Sequence, residues 1–141
     1  MDESFIRGTL RELLATGHLK TSARVGLLSV PHAESDPASS VEKVLLELGI
    51  NTIEKISVAN FDIENSLDNS ADEIIGADRT SRFDLVIDNK ASVYVFAMAR
   101  CIEGLYRMTR APGLLLFHHH PYLGNGYVAA PSEYFEDVAA F

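Results

Sequence analysis

The chain is short of cysteine, of clustered basic residues and of long apolar runs, and each shortage removes a class of protein. Cys101 is the only cysteine in 141 residues, so no internal disulfide can form and a reducing compartment is expected. It sits among apolar neighbours in a predicted helix, where a thiol serves as a small buried hydrophobe. Lys and Arg number 12 against 20 Asp and Glu, giving a net charge of −8. The basic residues are scattered and form no stripe. That disfavours nucleic acid as a partner, because phosphate binding needs clustered cations. No apolar run approaches the roughly 20 residues that span a membrane. Met1-Asp2-Glu3-Ser4 lacks the basic head and apolar stretch of a secretory signal, so a cytoplasmic protein is expected. No internal repeat, low-complexity segment or linker interrupts the chain, and its length fits one domain over residues 1–141.

What is present is a globular composition, 47% hydrophobic and 23% charged. Phe5, Ile6, Leu10, Leu13 and Leu14 recur at helical spacing, which predicts a helix over 4–16 with Ser4 as cap and Gly17 as stop. Val25 to Val30 is a short apolar run ended by Pro31, the pattern of a buried strand. A helix is expected from Ala38 to Leu48, with Val41, Val44, Leu45 and Leu48 on its apolar face and Gly49 ending it. Strands are expected at 53–59, at 83–88 and at 114–118, the last launched by the turn Ala111-Pro112-Gly113. A further, very short strand is expected around Glu73–Gly76. Val93 to Met108 reads as a helix, and a last one opens at Pro131-Ser132 and runs to Phe141. Strands alternating with helices imply βαβ units, so the expected fold is α/β: a doubly wound, mainly parallel, Rossmann-like sheet of about five strands.

In such sheets ligands lie beyond the carboxyl ends of the strands, so the residues that follow strands carry the chemistry. They are the loop Pro31 to Pro37, then Asn60-Phe61-Asp62-Ile63, then Asp78, and finally Asp88-Asn89. The run His118-His119-His120 ends the last strand. On a strand His118 and His120 share one face, but two ligands are too few for a closed zinc site, and the third would have to be a distant residue such as His32. No metal is therefore expected. An imidazole at that edge is better suited to position a substrate or act as general base.

From residue 83 onward the chain resembles class I S-adenosylmethionine-dependent methyltransferases. Phe83-Asp84-Leu85-Val86-Ile87-Asp88 is similar to the family's fourth strand. The helix ending Cys101-Ile102-Glu103-Gly104-Leu105-Tyr106-Arg107-Met108 and the turn Arg110-Ala111-Pro112-Gly113-Leu114 resemble the family's next helix and its leucine–lysine–proline–glycine–glycine turn. Gly126-Tyr127 and Pro131-Ser132-Glu133-Tyr134-Phe135 are similar to a stretch found in one subgroup. The resemblance implies a donor, S-adenosylmethionine, lying across the strand ends. It would be held by Ser29, Val30 and Pro31 of the first loop. Asp62, with Ile63 beside it, would take the ribose hydroxyls, Asp78 the adenine, and Asp88 would contact the donor, its alternative being a cap on the helix that follows. His118 or His120 would face a small-molecule acceptor, such as a sugar or polar metabolite. Tyr122, Asn125 and Tyr127 lie in a loop able to cover that site.

The resemblance also has gaps. The family's first loop is glycine-rich, so that backbone can approach the donor. Here it reads Ser29-Val30-Pro31-His32-Ala33-Glu34-Ser35-Asp36-Pro37, with two prolines and no glycine. Glu34 and Asp36 would repel the donor's carboxylate. After strand four, Val93-Tyr94-Val95 replaces the family's glutamate–histidine–valine. The family's final antiparallel strand pair is not seen before Phe141, which would leave the 114–118 strand as an open edge suited to a homodimer. A second reading follows: a methyltransferase-fold module, catalytically inactive, serving assembly or regulation.

Overall fold

The structure, a computed structural model, describes residues 3–31, 33–61, 75–76, 78–95 and 98–118. Among the described residues the principal helices and strands run in the order α1 (Glu3–Ala15), β1 (Arg24–Ser29), α2 (Pro37–Glu47), β2 (Thr52–Ser57), β3 (Phe83–Asn89), α3 (Met98–Met108) and β4 (Thr109–His118). Among the described residues the sheet has four strands in the order β2-β1-β3-β4, and every pairing is parallel. Helices cover both faces, so the expected α/β, Rossmann-like doubly wound architecture is present.

Each face has its own core. On one, Ile6 and Leu10 of α1 and Val41, Val44 and Leu45 of α2 pack on Val25, Leu27, Leu85 and Ile87. On the other, Cys101, Leu105 and Met108 of α3 pack on Leu28, Ile56, Phe83 and Val86. Strand alternation is the cause: neighbouring residues of β3 go to opposite faces, and both faces are apolar because both are covered. Burying one such aliphatic side chain contributes about 1.5–3 kcal/mol. Cys101 is fully buried, as expected of a packing thiol, and burial, followed by the nearby Asp88 charge, pushes its pKa well up. Gly104 is where α3 meets the turn after β2, since a Cβ there would lie 2.5 Å from the Phe61 ring. Only glycine permits that approach.

Several expectations change in detail. Ser4 lies inside α1 rather than capping it, and Phe5 is 62% exposed, because the buried stripe of α1 runs through Ile6 and Leu10. The second strand stops at Ser57. There Ser57 Oγ accepts from the Ala59 N–H and its carbonyl accepts from Asn60 Nδ2, turning Val58–Phe61 into a 3-10 turn. The expected short strand at Glu73–Gly76 is not seen where the chain is described: Ile75 is helical, and Gly76 takes φ +85° as a helix-ending glycine does. The helix expected from Val93 splits into a 3-10 turn, Ala91–Tyr94, and α3, with Val95 extended between them. The last strand starts earlier, at Thr109. Its turn survives as a bulge in which Arg110 to Gly113 stand opposite Asp84 alone. The tail beyond His118, with its expected helix and covering loop, lies outside the described residues.

Candidate functional site

From β1 the chain passes through α2 to β2 on one side, and then crosses back to β3 on the other side of β1. The connections leave β1 and β3 in opposite directions, which makes their carboxyl ends the switch point where ligands of such sheets bind. Ser29, Val30 and Pro31 lie at the end of β1, Asp88 at the end of β3, and His118 at the end of β4. Asp62, Ile63 and His120 lie outside the described residues, as do His32 and His119.

The loop after β1 is built around Asp36. It is the N-cap of α2, with extended backbone, and Pro37 follows at the first helical position. Asp36 Oδ1 accepts from the N–H of Val30 and of Ala38, each at 3.0 Å, and Oδ2 accepts from Ser29 Oγ at 2.7 Å. Burial pushes this carboxyl up. The Ser29 hydroxyl, the two N–H groups and the Lys55 charge outweigh it and hold the pKa below its ordinary value. Asp36 is therefore a carboxylate at neutral pH, seated on the donors that open α2.

Asp88 is fully buried and shares the α3 face with Val86. Its Oδ1 accepts from the Ser92 N–H at 3.1 Å, bracing the Ala91–Tyr94 turn, the capping role the sequence allowed for it. Its Oδ2 and the Ser92 hydroxyl have no hydrogen-bond partner among the described residues. Burial raises the Asp88 pKa to about 6, against the opposing pull of the Ser92 and Ala91 N–H groups.

Asn89, beside it, points to the opposite face and connects three elements. Its Nδ2 donates to the Pro37 carbonyl at 3.3 Å, and its Oδ1 lies 3.0 Å from His118 Nδ1. The Pro37 carbonyl can only accept, so the amide nitrogen must face it and Oδ1 must face the imidazole. Oδ1 also only accepts, so neutral His118 carries its proton on Nδ1 and its lone pair on Nε2. The His118 carbonyl accepts from the Lys90 N–H at 2.7 Å, with Lys90 held at φ +65°. The start of α2, the end of β3 and the end of β4 are thus tied into one unit.

Asp78 is not part of this group. It lies at the amino edge of the sheet, in the loop just before β3, where it lines a hollow with Arg24, Arg82, Asp84 and Arg110. The short strand that would have carried it to the carboxyl edge is absent at Ile75 and Gly76. Two residues that organise the edge, Asn89 and Ser92, stand out in the sequence only weakly. The signal that identifies Asp36 was there: an aspartate directly before a proline at the start of an apolar helix is a capped N-terminus. Among the described residues no group of three His, Cys, Asp or Glu side chains is placed to hold a metal ion, and no helix is long and apolar enough to cross a membrane. No protein-family model matches the chain, and searches of curated proteins and of solved structures found no significant match.

Proposed function

We propose that this chain keeps a methyltransferase-type fold, has lost binding of S-adenosylmethionine, and serves as a non-catalytic module for assembly or regulation. The supporting observation is the seat of Asp36. The donor's methionine carboxylate would seek N–H groups where the first loop meets α2. The Val30 and Ala38 N–H groups are already taken by Asp36, and Pro37 offers none. The Asp36 charge adds repulsion on the same spot. The residues after β1 therefore do not fit that end of the donor. Calorimetric titration with S-adenosylmethionine and with its demethylated product tests this. No heat and no thermal stabilisation at millimolar ligand is expected. Micromolar binding that Asp62→Ala weakens sharply would overturn the proposal.

One observation favours a second reading, methyl transfer to a small-molecule acceptor. His118 stands at the strand-end edge with its Nε2 lone pair set by Asn89, the arrangement of a general base for a hydroxyl. In that reading a positive titration is followed by an acceptor screen, and His118→Gln lowers turnover more than acceptor binding. The assembly role draws on β4, which ends the strand order among the described residues. A homodimer through this edge would show as a concentration-dependent sedimentation coefficient, and a monomer at high concentration would exclude it.

A further inference from the structure

The fold gathers arginines that are far apart in the sequence. Two open hollows adjoin at the amino edge of the sheet, about 380 Å³ and about 350 Å³ in volume, sharing Thr80, Ser81 and Arg110. Arg24 and Arg82 line the first and Arg107 the second. Four guanidinium groups thus meet two carboxylates, Asp78 and Asp84, in a chain whose net charge is −8.

The carboxylates do not use up these cations. Asp84 takes an ion pair from Arg110 and a backbone N–H from Arg24, so both its oxygens are engaged. Arg82 is shared with Glu54 at 3.0 Å. The guanidinium groups of Arg24 and Arg107 make no ion pair or hydrogen bond among the described residues, and both residues are exposed. Between them stands Ser81, a non-glycine residue at φ +53°, lining both hollows. Such a backbone persists only where its surroundings enforce it. Here the Ser81 and Arg82 N–H groups donate to the carbonyls of Arg107 and Met108 at 2.8 and 3.0 Å. Those bonds also cover the end of α3, whose bare carbonyls would repel an anion. The result is a lip that presents the Ser81 hydroxyl beside the unpaired guanidinium groups of Arg24 and Arg107.

We infer that this edge binds a phosphate monoester, gripped by Arg24, Arg107 and Arg110 with the hydroxyl of Ser81. A dianion with three acceptor oxygens matches several forked donors better than a single carboxylate does. The hollows are roomier than a phosphate group, leaving space for whatever carries it. The carrier is either a small metabolite or a phosphorylated side chain of a partner protein. This inference stands apart from the loss of donor binding, and either can fail alone.

The test is an amide NMR titration of the whole chain at low salt with inorganic phosphate, with O-phosphoserine and with a short phosphoserine peptide. Saturable shifts at Thr80, Ser81 and Arg82 are expected, with dissociation constants of about 1 mM or tighter. The double variant Arg24→Gln, Arg107→Gln should weaken binding roughly tenfold, and Asp84→Asn, which frees Arg110, should tighten it severalfold. Tighter binding of the peptide than of the amino acid assigns a phosphorylated partner, and equal binding assigns a small metabolite. No saturable shift at tens of millimolar, or shifts identical in all three proteins, would overturn the site.

Discussion

The two edges of this one sheet carry opposite chemistry. At the carboxyl edge the polar groups are turned inward: Asp36 is spent on Ser29, Val30 and Ala38, Asp88 is sealed beneath its 3-10 turn, and Asn89 is shared between Pro37 and His118. At the amino edge Arg24 and Arg107 face outward with no side-chain partner among the described residues. Ligands of doubly wound sheets gather at carboxyl edges because helix N-termini and strand ends leave backbone donors free there. When a side chain of the same loop takes those donors, the edge becomes scaffold. The difference teaches that a fold locates an opportunity for binding, while the local accounting of donors and charges decides whether it is kept.

Substitutions can break or sharpen this contrast. The largest effect is expected at Asp88. Its pKa is raised from 3.8 to about 6, so the folded state holds a proton that the unfolded chain has lost between those values. Stability therefore falls as pH rises through that window, by up to roughly 3 kcal/mol. Asp88→Asn should be more stable than the parent in denaturant melts above pH 6, less the cost of its new unpartnered amide. The gain should fade as pH drops toward 4. An unchanged pH profile would show that Asp88 is not sealed.

Next comes Asp36→Ala, expected to cost about 1–2 kcal/mol through loss of the cap. The Asp36 pKa is depressed, so its contribution is present above the ordinary carboxylate range and is lost as pH falls through the folded value. Parent and variant melts should converge in acid. Asn89→Leu should cost about 1 kcal/mol or somewhat more, since it leaves the Pro37 carbonyl without the amide. Its sharper readout is the imidazole ¹⁵N spectrum of His118, which should move from the Nδ1–H to the Nε2–H pattern. The same spectrum in parent and variant would remove Asn89 from its positioning role. Smallest of all, Arg24→Gln should change stability by less than about 0.5 kcal/mol, as befits an exposed residue without an ion pair. A large loss there would mean that the amino edge, too, is scaffold.

Most of the fold was legible because apolar runs such as Val25 to Val30 and Phe83 to Asp88 report burial on both faces, which only a covered parallel sheet provides. Boundaries failed where side chains compete with regular structure. The Ser57 hydroxyl ended β2 early, and the Asp88 carboxylate held Ala91–Tyr94 out of the helix. The site was legible only in outline. Ser29, Val30, Pro31, Asp88 and His118 do reach the carboxyl edge, but no pattern tells that Asp36 will bond to Val30 rather than stay solvated. Arg24, Arg82, Arg107 and Arg110 are scattered in sequence, and only the parallel pairing brings the starts of β1, β3 and β4 side by side. Long-range juxtaposition of that kind carries no local signal.

The proposed loss of S-adenosylmethionine binding is tested most directly at the amides it concerns. The N–H signals of Val30 and Ala38 should be followed by NMR while S-adenosylmethionine is raised to millimolar concentration. If Asp36 holds both groups, neither signal moves. Saturable shifts of both, with release of the Ser29–Asp36 contact, would contradict the loss and return the carboxyl edge to methyl transfer.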